Sequence, residues 1–246
     1  MGSPVVHFEV MGSDLKGLTS FYGDLFGWQI QTMDEIGYGS VDTQGGSGIN
    51  GGLGVSQDGA QYVTFYIEVD DTDAALARIE KAGGKTVTPT VVMPGIVTFA
   101  HFADPAGNRV GLVKSEPDYE GGPSAGDGPE VGWVEVLGPD ADALASFYSE
   151  QFGWTTKRSE TPQFVYHEFD TGAGKGSPGG IGGSPDGNAY CNVYAGVDDV
   201  TKTLERAEGL GGTIIMPETQ VAPDTVIGQF ADPQANRFGV YKRMPR

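Results

Sequence analysis

This chain is written twice, and the repeat limits its folds more than any other feature. Phe21-Tyr22-Gly23-Asp24-Leu25-Phe26-Gly27-Trp28 returns as Phe147-Tyr148-Ser149-Glu150-Gln151-Phe152-Gly153-Trp154. Val69-Asp70-Asp71 returns as Val197-Asp198-Asp199, and Gly83-Gly84 as Gly211-Gly212. The turn and strand of Asp104-Pro105-Ala106-Gly107-Asn108-Arg109-Val110-Gly111 return as Asp232-Pro233-Gln234-Ala235-Asn236-Arg237-Phe238-Gly239. The offset stays at 126 to 128 residues, so the correspondence spans nearly the whole chain. A fold for this sequence must therefore be built from two like modules.

Within the first module, Val5 to Met11 alternates in polarity as a strand does. Asp14 then caps a helix whose apolar residues Leu15, Leu18, Phe21, Tyr22, Leu25 and Phe26 share one face, and Gly27 ends it. Short strands are predicted around Tyr38 to Val41, Ile49 to Leu53 and Val63 to Val69. Asp70-Asp71-Thr72 opens a second helix, Ala74 to Ala82, stopped by Gly83-Gly84. A strand near Val97 to Phe102 and the strand after the Asp-Pro turn complete the module. Residues 1–114 form the first module and 130–246 the second. Residues 115–129, rich in Pro, Gly and acids with little to bury, read as a linker.

The formal charge of −18, from 33 acidic and 15 basic residues, argues against nucleic acid and anionic membrane as partners and would favour a cationic small molecule. No apolar run is long enough to span a bilayer, and Met1 leads into a strand without a signal-peptide pattern, so a cytoplasmic protein is expected. The single cysteine, Cys191, excludes an internal disulfide framework and sits in an apolar strand as a small core residue.

The strand–Asp–helix opening with Phe-Tyr…Phe-Gly-Trp, the Val-Asp-Asp helix start and the Asp-Pro-x-Gly-Asn-Arg turn together resemble the vicinal oxygen chelate superfamily. That superfamily includes glyoxalase I, bleomycin-resistance proteins and extradiol dioxygenases, and the chain looks similar to its two-module bacterial members. The resemblance implies an α+β fold of tandem βαβββ modules, forming eight-stranded, cup-shaped mixed sheets with helices outside and a small-molecule ligand inside. It also implies a divalent metal held by inward His and Glu side chains on four strands of a module.

Alternation sorts the faces without the family. Phe8, Val10, Phe65, Ile67, Val110 and Leu112 should meet the helices, leaving His7, Glu9, Thr64, Tyr66, Arg109 and Gly111 inward. In the second module the inward set is Trp133, Glu135, Asn192, Tyr194, Arg237, Gly239 and Tyr241. By the same parity His101 and Gln229 look inward. The four slots where the superfamily keeps its ligands are then His7, Gly51-Gly52, Thr64 and Gly111. Their counterparts are Trp133, Gly179-Gly180, Asn192 and Gly239. One slot of eight carries a good metal ligand, so no metal residue is assigned and no cofactor is expected. A relocated divalent-metal site would have to draw on Glu9, Glu68, His101 or Glu135.

The leading expectation is metal-independent binding of a small aromatic or amphipathic metabolite or drug. Its ligand-binding residues would be Thr64, Tyr66, Arg109, Trp133, Glu135, Asn192, Tyr194, Arg237 and Tyr241. The alternative is a glyoxalase-like lyase or isomerase, with a relocated metal or none, using His7, Glu9 and His101 for proton transfer. A third reading is an interaction protein whose cup is merely filled. The repeated Glu9/Glu135 and Arg109/Arg237 read first as structural ion pairs. Either a monomer or a homodimer suits the sequence.

Overall fold

The computed structural model describes residues 2–114, 122–161, 164–184 and 186–243. The first part of the linker, residues 115–121, lies outside the described residues. Module one supplies β1 (Val5–Gly12), α1 (Leu15–Phe26), β2 (Gln29–Met33), β3 (Tyr38–Asp42), β4 (Asn50–Val55), β5 (Tyr62–Glu68), α2 (Thr72–Lys81), β6 (Lys85–Met93), β7 (Val97–Ala103) and β8 (Arg109–Lys114). Module two repeats the order. It runs β9 (Val131–Gly138), α3 (Ala141–Phe152), β10 (Thr155–Thr161), β11 (Phe164–Asp170), β12 (Gly179–Gly183), β13 (Tyr190–Gly196), α4 (Val200–Gly209), β14 (Thr213–Ala222), β15 (Thr225–Ala231) and β16 (Arg237–Arg243). The fold is α+β, and the described residues form two eight-stranded sheets ordered β2-β3-β4-β1-β5-β8-β7-β6 and β10-β11-β12-β9-β13-β16-β15-β14. Both are mixed: β5 pairs β8 and β13 pairs β16 in parallel, while the outer hairpins are antiparallel.

Among the described residues, all four α-helices begin at an aspartate whose side chain accepts a backbone N–H of the first turn, from Gly17, Ala74, Ala143 and Lys202. Gly27 and Gly153 close α1 and α3 at φ 73° and 70°, a conformation costly for any residue with a Cβ. Sequence patterning does not mark β2, β6, β10 or β14, the four outermost strands of the two sheets. β10 is exposed along its whole length, and β6 and β14 each contain a proline, Pro89 and Pro217. Edge strands need no continuous apolar face and tolerate proline, so the alternation signal fails there.

The compact units in space do not follow the sequence modules. One unit comprises residues 1–7, 64–121 and 133–191; the other comprises 8–63, 122–132 and 192–246. Each takes half of each module.

In the first unit, Phe102 packs within 6.4 Å of Phe147 and 5.9 Å of Phe152, and Tyr148 stacks on Trp154. Asp104 organises the Asp-Pro turn: its Oδ1 accepts the N–H of Ala106, Gly107 and Asn108, and its Oδ2 accepts from the Asn108 amide and the Tyr148 hydroxyl. Trp154 donates its indole N–H to the carbonyl of Ser3.

The second unit repeats this arrangement. Tyr22 stacks on Trp28, Phe238 packs against Phe8 and Phe230, and the Tyr22 hydroxyl donates to Asp232. Trp28 donates to the carbonyl of Pro129, and the backbone N–H groups of Gly46 and Gly128 donate to the carbonyls of Ser124 and Gln44. The described part of the linker is thus built into this unit.

Candidate functional site

In the first unit, His7, Tyr66 and His101 come together. Tyr66 Oη lies 2.8 Å from His101 Nε2, and the rings meet edge-on at 5.4 Å. His7 meets Tyr66 edge-on at 5.6 Å, and Phe99 meets His101 edge-on at 5.7 Å. Burial pulls the His7 pKa down to about 4, although the residue as a whole is half-buried. Thr64 is fully buried and donates its hydroxyl to the carbonyl of Arg109, so that side chain is committed to the backbone.

Gly111 explains how these residues fit. A Cβ built there would overlap the ring of Tyr66, which lies across the glycine from the adjacent strand. The same unit holds Trp133, Tyr166 and Glu135 in one relay. The Trp133 indole donates to Tyr166 Oη at 3.0 Å, and Tyr166 donates to Glu135 Oε1 at 2.7 Å. The Tyr166 hydroxyl sits where a Cβ of Gly180 would be.

The second unit carries the counterparts. Tyr194 lies across Gly239 as Tyr66 does across Gly111, and Tyr38 lies across Gly52 as Tyr166 does across Gly180. Gln229 stands in the place of His101. Its amide nitrogen donates to Tyr194 Oη at 2.7 Å, and its amide oxygen accepts from Arg237 at 3.1 Å. Asn192 is fully buried with neither amide atom hydrogen-bonded. Such an amide calls for a bound water or ligand atom, since an unpaired buried polar group is costly.

Glu9 is also buried in this unit. Tyr241 donates to Glu130 at 2.8 Å and lines a groove of about 600 Å³ with Leu25, Phe26, Lys202 and Arg206. That groove contains none of the slot residues. Tyr38 and Tyr166, a matched pair at the repeat offset, are site residues that alternation passes over. Their partners are glycines on another strand, and a glycine carries no signal of what lies against it.

These residues do not fit a divalent metal. Four of the eight slots hold only glycine: Gly52, Gly111, Gly180 and Gly239 lie under tyrosines, and Gly51 and Gly179 meet the rings of Phe8 and Phe169. Trp133 and Thr64 are committed to other hydrogen bonds. Among the described residues, no three His, Cys, Asp or Glu side chains gather as a metal site.

A sequence profile of the Glyoxalase/Bleomycin resistance protein/Dioxygenase superfamily matches residues 5–112 and again 130–240, and the chain belongs to that superfamily. It is 29% identical over 245 residues to the anthracycline biosynthesis protein DnrV of Streptomyces peucetius, covering 92% of this chain and 86% of that protein. It is 26% identical over 261 residues to the putative glyoxylase CFP32 of Mycobacterium bovis, covering 97% and 94%. Among solved structures, the Mn(II)-bound glyoxalase from Novosphingobium aromaticivorans aligns with a TM-score of 0.70 at 15% identity, over 99% of this chain and 84% of that one. The 2,3-dioxygenase LapB from Pseudomonas sp. KL28 aligns at 0.69 and 14%, over 100% and 94%. At such identities these two structures carry the fold alone.

Proposed function

We propose that the protein binds a small aromatic or amphipathic metabolite or drug without a metal ion, against the strand faces that carry Tyr66 and Tyr194. The observation that carries this reading is the tyrosine laid over each of Gly52, Gly111, Gly180 and Gly239. A side chain long enough to reach a metal from these positions would have to displace a tyrosine ring, and Tyr66, Tyr166 and Tyr194 are held there by hydrogen bonds. Aromatic walls with a few fixed polar groups suit a flat organic ligand. The relative named for anthracycline biosynthesis agrees with that ligand class. The charge of −18 favours a cationic one.

The test is elemental analysis of protein purified without chelator, paired with a fluorescence titration against anthraquinones. Saturable binding by protein with well under one metal per chain is the expected result. Stoichiometric metal whose removal abolishes binding would overturn the reading.

A second reading is an enzyme of the lyase or isomerase type that moves protons through His7, Glu9 or His101. The observation favouring it is the 2.8 Å contact between Tyr66 and His101, a phenol against an imidazole nitrogen.

A further inference from the structure

The two modules hold corresponding tyrosines with different partners, and the difference is chemical. In the second module the orientation of the Gln229 amide is fixed by Arg237. A guanidinium can only donate, so Gln229 turns its oxygen to Arg237 and its N–H to Tyr194 Oη. Gln229 can neither take nor give up a proton at any accessible pH. In the first module the same place is held by His101, whose Nε2 faces Tyr66 Oη. A neutral imidazole with an unprotonated Nε2 accepts the phenolic hydrogen and can carry it. Flanking rings hold the pair in place: His7 stands edge-on to Tyr66 and Phe99 edge-on to His101. Gly111 leaves room for the Tyr66 ring to lie flat across β8. Tyr66 and His101 are buried yet not sealed, at 5% and 7% exposure.

We propose that Tyr66 and His101 form a proton relay that ionises an acidic phenol or enol of the ligand, while the second module binds through Tyr194 without proton transfer. This rests on the reading that the strand face carrying Tyr66 receives the ligand. In the step, the ligand O–H bond breaks and its proton passes to the Tyr66 oxygen. At the same time the Tyr66 O–H bond breaks and that proton passes to the Nε2 lone pair of His101. The ligand becomes an oxyanion, Tyr66 stays neutral, and His101 becomes an imidazolium. No oxidant or metal enters the balance. Tyr66 is the residue that touches the ligand, and His101 acts through it.

Emodin, a trihydroxyanthraquinone whose visible band moves to longer wavelength when a phenol ionises, reports the step directly. It would be titrated with the full-length protein, in chelator, at a pH where the free dye is neutral. The wild type is expected to bind it and display the anionic band. His101→Gln installs the residue that the second module already uses at this position, which favours a folded variant, and near-UV circular dichroism confirms folding. The expected result for His101→Gln is a saturable complex with the neutral spectrum, most of the anionic band lost and the binding weakened by the roughly tenfold or smaller factor that ionisation contributed. Tyr66→Phe should lose the band as well. A folded His101→Gln variant that keeps the anionic band would overturn the relay, as would wild-type binding with the neutral spectrum only. Absence of any binding by the wild type would instead overturn the binding reading on which the relay rests.

Discussion

The hydroxyl of Tyr148 donates to Oδ2 of Asp104 at 3.0 Å, joining the aromatic helix motif of the second module to the Asp-Pro turn of the first. Tyr22 and Asp232 make the reciprocal bond at 3.3 Å. Burial raises the pKa of both tyrosines and both aspartates. These bonds lie inside packed aromatic clusters, so each carboxylate depends on its donors to be tolerated there. Tyr148→Phe should destabilise the protein by about 1 to 2 kcal/mol in urea denaturation, because it strips a donor from a buried carboxylate. Tyr22→Phe, losing a longer bond, should cost less. No effect of Tyr148→Phe would show that the remaining turn hydrogen bonds suffice for Asp104, and equal losses in the two variants would show that the difference in bond length does not set the cost.

His7 gives the stability a pH dependence of known sign. Its pKa falls from 6.5 to about 4 on folding, so between those values the unfolded chain binds more protons than the folded one. Its contribution is therefore fully present above about pH 6.5 and is lost as the pH falls toward 4, by at most about 3 kcal/mol. Urea midpoints measured from pH 7 to pH 4 should fall, and His7→Phe should flatten the part of that slope due to His7. An unchanged slope in the variant would assign the loss to other groups.

The space over Gly111 and Gly239 is already taken by Tyr66 and Tyr194. Gly111→Ala should cost about 1 to 3 kcal/mol through overpacking. The cost should nearly vanish in a Tyr66→Ala background, where the double-mutant cycle would show a coupling of similar size. An additive cycle would mean that the methyl group is accommodated by a backbone shift.

Asn192 is a fully buried amide without a hydrogen-bond partner, whereas its counterpart Thr64 reaches the Arg109 carbonyl. Asn192→Thr should therefore raise stability, by roughly 1 kcal/mol in chemical denaturation, if its hydroxyl finds the equivalent carbonyl of Arg237. A loss of stability would point to a water or ligand atom that the amide holds in solution.

Much of this protein can be read from local signals. The aspartate caps, the glycine stops and the three-to-four-residue spacing of Leu18, Phe21, Tyr22 and Leu25 define α1 within its own stretch of chain. Burial alone does not sort the strand faces: Phe8, Val10, Phe65 and Ile67, assigned to the helix side by alternation, are buried, but so are Glu9, Thr64 and Tyr66 on the other face, while His7 keeps partial access. The site was legible only as a set of losses. Gly111 and Gly239 marked missing ligands, but what replaced them depended on Tyr66 and Tyr194, 45 residues earlier in each module.

By itself, then, the sequence determined the duplication, the superfamily resemblance and the order of elements, because each rests on residues close together in the chain. The tertiary structure alone decided that Tyr148 pairs with Asp104, that each compact unit takes half of each module, and that tyrosines fill the glycine slots. Both copies carry the same local pattern, so periodicity cannot say which helix meets which turn. That choice is made by packing between segments far apart in sequence, where shape and hydrogen-bond complementarity act on side chains that no local window contains together.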